Sequence, residues 1–388
     1  MEKPKVIITG AGIGGLTAGI ALRRAGCEVE IYDRVKELRP IGAGISLWSN
    51  GAKVLTYLGM GDQLSAIGGT MNQIAYHHKT GIPLNQISLL PLIDAVRQRP
   101  YPVARRDLQN MLVKAYGDEI KLDHKCVGVE EDETGVTVFF ENGHQAKGDV
   151  LIAADGIRST IRKYVLGNEA DLEPKYAGYV NWNGLVTAST NLAPANTWII
   201  YVGDHQRASM MPIGGDRFYF FFDVPLPKGT PCNPDYFKTE LREHFKDWAE
   251  PVQMLIERFN PSDVARIEIH DAGPFNRYVR GRVALLGDSA HATCPDMGQG
   301  GCLALEDALV IADHLVNTHA GVERALKRYE TERMIRANAI VQKARKRAEQ
   351  IHGKDPAITQ QWYQQLATEK PSDVTDALQK VILAGPLR

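Results

Sequence analysis

Two glycine-rich segments at opposite ends of the chain carry residue types that suit binding of a phosphorylated cofactor. The first, GAGIGG at residues 10–15, has the GxGxxG spacing, in which glycines permit a tight turn and let a pyrophosphate approach the backbone. The second, RVALLGDSAHATCPDMGQGGCLALEDA at residues 282–308, combines a carboxylate with a glycine-rich turn. The first segment alone predicts some dinucleotide ligand, whereas the pair predicts a flavin contacted from both sides by one chain.

The first segment lies in a complete strand–helix–strand unit. An apolar strand is predicted at residues 5–9, a helix at 16–25 and a second strand at 28–32. Asp33 closes that strand, where its carboxylate would accept ribose hydroxyls, and its end position favours it over Glu30. The alternative, a glycine-rich turn without ligand, fits this context less well. The turn glycines expected to contact the cofactor are Gly10, Gly12, Gly14 and Gly15.

The second segment begins with a buried strand predicted at residues 283–286. Asp288 follows at the carboxyl end of that strand, where it could bond a ribityl hydroxyl. A helix predicted from residue 302 would direct N–H groups at the negative charge that a reduced flavin carries near N1 and O2. The alternative is a loop and helix cap only. The loop residues expected to contact the cofactor are Pro295, Gly298, Gly300 and Gly301.

The remaining elements place these segments in a larger fold. Apolar spacing predicts helices at residues 50–58, 106–116, 303–316 and 323–350, with further helix in 353–388. Residues 127–140 alternate and turn at 141–143, which predicts a hairpin before a buried strand at 150–153. Residues 177–223 are alternating and aromatic, which predicts an antiparallel sheet inserted within the first domain.

Composition excludes several classes of function. The chain has 388 residues and a net charge of −1, without a polybasic tract, which disfavours nucleic acid and anionic membranes as partners. No apolar run free of glycine and charge reaches the length of a membrane span. Five scattered cysteines without metal spacing indicate reduced thiols, no metal site and a cytoplasmic protein.

Three motifs together resemble the FAD-dependent aromatic-ring monooxygenases, the para-hydroxybenzoate-hydroxylase-like family: GAGIGG, DVLIAADGIRSTIR (149–162) and the segment ending GQGGCLALEDA. The resemblance covers nearly the whole chain. It implies that Asp155 and Gly156 contact FAD and the nicotinamide nucleotide, and that Arg105 and Val127 contact FAD. Cys302 departs from the family, because many members have an asparagine near the flavin there, and Ala153 replaces a usual glycine.

Further stretches are similar to the bacterial FAD-dependent urate hydroxylases within that family: YAGYVNWNGLV (176–186), RFYFFFDVPLP (217–227), RIEIHD (266–271), HGKD (352–355) and the terminal GPL. The implied reaction uses NADH, with NADPH as the alternative, to reduce FAD. Dioxygen then forms a flavin C4a-hydroperoxide that converts urate to 5-hydroxyisourate. No separate nicotinamide domain is visible, so the nucleotide would dock transiently beside the flavin.

The expected fold is α/β, or α+β overall. A Rossmann-like FAD-binding domain (residues 1–72, 98–175 and 276–350) would carry an inserted, mainly antiparallel β-sheet substrate domain (73–97 and 176–275). A C-terminal helical tail would occupy residues 351–388. Either a monomer or a homodimer is compatible with the sequence.

An anionic purine needs a cation to anchor it and donors to orient it. Arg207 in QRASMMPI fits the anchor, since guanidinium can pair with carbonyl or ring-nitrogen edges. Tyr219 offers a hydroxyl, and Asp296 could orient substrate or a water. The resemblance matches these three positions to substrate-site residues. By themselves they could equally be a surface salt-bridge partner, a core residue and a turn former.

Other functions stay open at this point. Within the family, another aromatic acid such as a salicylate- or nicotinate-like compound could be the substrate. A flavin reductase or dehydrogenase that inserts no oxygen would have the same fold. A flavin- or nucleotide-binding regulatory protein without turnover is the alternative from a different class.

Overall fold

The computed structural model describes residues 3–38, 42–117, 119–167, 171–317 and 321–387. The strands are β1 Val6–Thr9, β2 Val29–Tyr32, β3 Gly44–Leu47, β4 Gln73–His78, β5 Pro83–Ser88, β6 Tyr101–Ala104, β7 Ile120–Lys121, β8 Cys126–Glu131, β9 Val136–Phe140, β10 Gln145–Gly148, β11 Val150–Ala153, β12 Lys175–Thr187, β13 Thr197–Gly203, β14 Gln206–Ile213, β15 Arg217–Pro225, β16 Ala265–Asp271, β17 Val279–Arg280 and β18 Val283–Leu285. The α-helices are α1 Ile13–Arg24, α2 Ser49–Tyr57, α3 Gly61–Ile67, α4 Leu90–Val96, α5 Arg105–Tyr116, α6 Arg162–Leu166, α7 Phe237–His244, α8 Glu250–Arg258, α9 Asp288–His291, α10 Gly300–Val316, α11 Val322–His352, α12 Pro356–Thr368 and α13 Pro371–Leu383.

The first domain is built on a six-stranded sheet in the order β17-β18-β11-β1-β2-β7. The five strands from β18 to β7 are parallel, and β17 is antiparallel to β18. Every residue of β1, β11 and β18 is buried, as expected for parallel strands covered on both faces. The sheet therefore brings the carboxyl ends of β1, β2, β11 and β18 to one edge.

The prediction for residues 127–140 was wrong in detail. The segment forms two strands, β8 and β9, and the turn at residues 141–143 joins β9 to β10. Asp132 Oδ1 accepts hydrogen bonds from the backbone N–H groups of Thr134 and Gly135, which closes the additional turn. A short acidic turn inside an alternating run thus splits one predicted strand into two.

The second domain is built on a seven-stranded sheet in the order β16-β12-β15-β14-β13-β4-β5. All neighbours are antiparallel except β13 and β4. On β15, Phe218, Phe220 and Phe222 are buried in one core that also contains Phe237 of α7 and Leu255 of α8. Because side chains alternate along a strand, the intervening residues of β15 face the opposite side of the sheet.

The C-terminal helices α12 and α13 follow the 31-residue helix α11 and pack against β5 and α4. The predicted fold class is confirmed: a Rossmann-like domain, a mainly antiparallel sheet domain and a C-terminal helical segment. All five cysteines are free thiols. Across the described ranges, no helix is both long and apolar enough to cross a membrane.

Candidate active site

The carboxyl edge of the parallel sheet collects the residues that the two glycine signatures predict. Gly10 follows β1, Asp33 follows β2, Asp155 follows β11 and Asp288 follows β18. In open α/β sheets this edge is where ligands bind. The two signatures, almost 300 residues apart in sequence, also meet directly, because a Cβ at Gly14 would lie 2.7 Å from Leu286 Cδ2 and 3.2 Å from Ala304 Cβ.

The turn between β1 and α1 leaves room for a ligand at Gly12 and no room for a side chain at Gly15. A Cβ built on Gly12 would meet no atom within 4 Å, whereas one on Gly15 would lie 1.9 Å from the Gly10 carbonyl oxygen. Helix α1 has no side-chain cap at Gly12, so its first-turn N–H groups are available to an anion. An open cradle at the uncapped end of a helix fits a pyrophosphate.

Asp33 lies at the end of β2 and holds the glycine turn in place. Its Oδ2 accepts from the Ala11 N–H at 2.6 Å, and its Oδ1 accepts from the Val35 N–H at 3.0 Å. Glu30 forms salt bridges with Lys5 and Lys121. Hydrogen bonds and charge attraction in that cluster outweigh burial and lower the Glu30 pKa to about 2. Glu30 is therefore committed to the cluster, which leaves Asp33 as the carboxylate beside the turn.

The second signature presents another uncapped helix. Pro295–Met297 form a single 3₁₀ turn, Gly298 follows at φ +61°, and α10 begins at Gly300 without a side-chain cap. Gly301 has little room, since a Cβ there would lie 2.5 Å from Ile45 Cδ1. The first-turn N–H groups of α10 fit an anionic group such as the pyrimidine side of a reduced flavin.

Charged and apolar groups without protein partners surround this edge. Within the described residues, the Arg105 guanidinium and the exposed Asp288 carboxylate form no side-chain hydrogen bond or salt bridge. Asp155 Oδ2 accepts from the Thr160 N–H, whereas its Oδ1 is buried without a hydrogen-bond partner, and burial raises the Asp155 pKa. Val127 is 48% exposed on β8, although it is apolar. Gly156 has φ +83° and open space at its Cβ position. A bound cofactor would give the charged groups hydrogen-bond partners and would cover the exposed valine and the open glycine.

Cys302 lies away from any ligand surface. It is fully buried, and its Sγ would be 2.8 Å from a Cβ on Gly51 of α2. Burial raises the pKa of its thiol to about 12, so it stays protonated. The thiol fills the contact between α10 and α2, where a larger asparagine would need more room.

The sheet domain contributes a buried arginine held by two carboxylates. Arg207 is the second residue of β14, and its Nε and Nη2 contact Asp223 Oδ2 at 2.9 and 2.7 Å. Its Nη2 also contacts Asp296 Oδ1 at 2.8 Å. Burial alone would lower the Arg207 pKa, but the two carboxylates outweigh it and raise the value. Among the described residues, Nη1 has no acceptor.

Tyr219 lies on the neighbouring strand β15, on the same side of the sheet as Asp223. Its ring covers Gly44, where a Cβ would lie 2.4 Å from Tyr219 Cγ. Burial raises the pKa of its hydroxyl, which therefore keeps its proton at neutral pH. No described residue hydrogen-bonds that hydroxyl, so it is free to bond a ligand.

Asp296, which was predicted to orient substrate or a water, directs both carboxylate oxygens at protein groups. Its side chain has no exposed surface, its Oδ2 accepts from the Tyr179 hydroxyl at 2.7 Å, and its Oδ1 contacts Arg207. Both oxygens are thus engaged within the protein. This geometry favours a role in positioning Arg207.

Sequence reasoning missed the residues that support Arg207. Asp223 Oδ1 accepts from Asn181 Nδ2, and Asn181 Oδ1 accepts from Asn183 Nδ2. Asn183 Oδ1 in turn accepts from the Ala43 N–H, and the Ala43 carbonyl accepts from the Arg105 N–H. The sequence did contain a signal for these residues, because Asn181 and Asn183 alternate in an aromatic strand and therefore share one face. The contact between Asn181 on β12 and Asp223 on β15, however, joins residues 42 positions apart and leaves no local pattern.

Comparison with known proteins agrees with this geometry. The family model for the FAD binding domain matches residues 3–344. The chain is 46% identical over 385 residues to an FAD-dependent urate hydroxylase of Klebsiella pneumoniae, covering 99% of this chain and 100% of that protein. It is 46% identical to a urate hydroxylase of Mycolicibacterium vanbaalenii, covering 99% of this chain and 98% of that protein. The structure is similar to the crystal structure of Klebsiella pneumoniae HpxO complexed with FAD and uric acid, with a TM-score of 0.95, 46% identity, and coverage of 99% and 98%.

Proposed function

The chain belongs to the FAD-binding family of flavoprotein monooxygenases, and we propose that it converts urate to 5-hydroxyisourate, with NADH as reductant and dioxygen as oxygen donor. The observation that supports the proposal is the buried Arg207, whose Nε and Nη2 are held by carboxylates while its Nη1 has no acceptor among the described residues. A guanidinium fixed in this way can bind the carbonyl or ring-nitrogen edge of a planar anion. The similarity to urate hydroxylases supports urate as that anion.

The residues at the carboxyl edge would hold FAD. The N-terminus of α1 would bind the pyrophosphate, with Asp33 on the ribose and Asp288 on a ribityl hydroxyl. The N-terminus of α10 would stabilise negative charge on the reduced ring, and Arg105 adds a second positive charge near the loop at residue 43. The chemistry that FAD would supply when bound is acceptance of electrons from the nicotinamide nucleotide and activation of dioxygen.

The protein's own contribution is placement and exclusion of water. Arg207 Nη1 would anchor the substrate, and the protonated Tyr219 hydroxyl would donate to or accept from the same purine. Asp223 and Asp296 keep the guanidinium charged and fixed. The balanced reaction is urate + O2 + NADH + H⁺ → 5-hydroxyisourate + H2O + NAD⁺, so one oxygen atom enters the product and the other leaves as water.

One assay tests this function against its alternatives. The purified protein is checked for bound yellow flavin, and consumption of NADH, NADPH and oxygen is then followed with urate, salicylate or no substrate. We expect urate to accelerate NADH oxidation and to yield 5-hydroxyisourate, seen by ultraviolet absorbance, in near-equal amount to the oxygen consumed. Rapid turnover that ignores urate would indicate a reductase, and hydroxylation of salicylate instead would indicate another aromatic acid as substrate.

A further inference from the structure

The two-residue turn between β13 and β14 has an unfavourable backbone conformation two positions before Arg207. Gly203 pairs with Gln206, and both residues of the turn between them are left-handed, Asp204 at φ +49° and His205 at φ +61°. In such hairpins the first position commonly carries asparagine, aspartate or glycine and the second normally carries glycine, so His205 is the unfavourable residue of the pair. Strained residues of this kind persist only where the surrounding structure holds them, and they cluster at functional sites.

The C-terminal helices supply what holds His205. Its backbone N–H donates to the Tyr363 hydroxyl at 3.1 Å, and its carbonyl oxygen accepts from His352 Nδ1 at 2.8 Å. Its ring Nδ1 lies 3.0 Å from Thr359 Oγ1. The Thr359 hydroxyl itself donates to the Gln350 carbonyl at 2.9 Å, so the His205 ring is the donor in this pair. Three side chains from α11 and α12 therefore converge on one turn residue.

His352 also connects this anchor to the carboxylates around Arg207. Its ring stacks on Tyr179 with centroids 4.0 Å apart. Its Nε2 is buried without a hydrogen-bond partner, 3.9 Å from Asp223 Oδ2 and 4.0 Å from Asp296 Oδ1. Burial, followed by the nearby Arg207 charge, lowers the His352 pKa to about 3. The ring is thus neutral, with Nδ1–H directed at the turn.

We propose that His205 is a positioning residue for Arg207, and that the C-terminal helices complete the substrate site by holding this residue in its left-handed conformation. The strand that starts at Gln206 carries Arg207 directly out of the turn, so a shift of the turn moves the guanidinium relative to its two carboxylates. The identity of the ligand as urate rests on the proposed function, whereas the positioning itself does not.

The matched pair His205→Gly and Asp204→Gly separates positioning from stability. Glycine relieves the backbone strain at either site, so a residue important only for folding should become neutral or favourable when replaced. At position 205 glycine keeps the two backbone hydrogen bonds but removes the ring contact with Thr359, which leaves the turn freer to shift. Asp204 forms a salt bridge with Lys79 and no hydrogen bond with the described C-terminal side chains, and it serves as the control. We expect His205→Gly to raise the KM for urate about tenfold and to divert NADH oxidation towards hydrogen peroxide, with FAD content and melting temperature retained. Asp204→Gly should behave as the unmodified enzyme.

A double-mutant cycle with Arg207→Gln tests whether the effect passes through Arg207. If His205 acts by positioning the guanidinium, His205→Gly should change the KM less than about twofold once Arg207 is absent. His205→Asn, which tolerates the left-handed conformation and supplies an amide N–H donor in place of the ring N–H, should restore most of the coupling to hydroxylation. Additive effects of the two substitutions would overturn the proposal.

A measurement without substrate keeps the proposal separate from the choice of urate. Hydrogen exchange of the FAD-bound protein should show faster exchange across residues 203–213 in His205→Gly and in Tyr363→Phe, which removes one hydroxyl only. Asp204→Gly should leave that exchange unchanged. If urate is not the substrate, the exchange result still stands. Unchanged exchange in both test variants would overturn the positioning role even if urate were turned over.

Discussion

Arg207 lies directly opposite Asp223 in the register of β14 and β15, and two of its nitrogens contact the same carboxylate oxygen at 2.9 and 2.7 Å. Directly opposed residues of an antiparallel pair project from the same face, so the strand register itself brings the charges together. Asp296 completes the arrangement from a loop of the other domain. The anchor for an anionic substrate is therefore built across the junction of the two domains.

Replacing Arg207 with glutamine should separate substrate binding from cofactor binding. Glutamine removes the charge and the guanidinium fork, so we expect the KM for urate to rise at least about tenfold and hydroxylation to uncouple from NADH oxidation. FAD should stay bound, because the residues of the glycine signatures are untouched. Arg207→Lys keeps the charge without the guanidinium fork, so its KM for urate should lie between those of the unmodified protein and Arg207→Gln. Loss of FAD from Arg207→Gln would show that the arginine supports cofactor binding instead of substrate binding.

Removing the Tyr179 hydroxyl tests the support of Asp296. Tyr179→Phe leaves the buried Asp296 Oδ2 without its donor, which costs about 1–3 kcal/mol. We expect lower stability in urea unfolding and a several-fold higher KM for urate. Tyr176→Phe is the matched control on the same strand, since that hydroxyl donates to the Leu226 carbonyl instead. Equal effects of the two variants on KM would contradict the role given to Tyr179.

The parts of the site that could be predicted from sequence are those with local signals. The glycine turns, Asp33 and Asp288 follow from strand ends and fixed spacing, and the sheets and helices follow from periodicity. Asp223 and His352 could not be assigned in this way. Their roles depend on which strands pair and on how a helix more than a hundred residues later packs, and neither leaves a pattern within a short window of sequence.

Asp307 should stabilise the protein in a pH-dependent manner. It is fully buried between His291 at 2.5 Å and Arg333 at 2.7 Å. Burial alone would raise its pKa, but these two partners outweigh it and hold the pKa well below the usual range. Because the folded pKa is below the unfolded one, the charged form stabilises the fold at neutral pH. That contribution is lost as the pH falls through the acidic range.

Asp307→Asn should therefore lower the free energy of unfolding by about 3–5 kcal/mol at pH 7, because Arg333 loses a charged partner in the core. The loss should be smaller at about pH 2.5, which lies below the unfolded pKa of an aspartate. Urea titrations at the two pH values measure the difference. Asp313→Asn, at an exposed position of the same helix, should change stability by less than about 0.5 kcal/mol. A constant difference between Asp307→Asn and the unmodified protein at both pH values would argue against a charged Asp307.

The substitutions Gly12→Ala and Gly15→Ala lie three residues apart in one turn, but the first should weaken FAD binding and the second should lower the stability of the apoprotein. Gly12 has an ordinary φ of −78° and no atom within 4 Å of a Cβ, so alanine fits the folded protein. The added methyl would occupy the space that a pyrophosphate needs, and we expect FAD affinity to fall about tenfold or more at an unchanged apoprotein melting temperature.

The Cβ of an alanine at position 15 would lie 1.9 Å from the Gly10 carbonyl oxygen, so the turn itself must shift. Gly15→Ala should therefore lower the melting temperature before any cofactor is added. Fluorescence titration of the apoproteins with FAD, beside thermal unfolding, measures both effects. If Gly12→Ala bound FAD as tightly as the unmodified chain, the pyrophosphate would have to lie elsewhere.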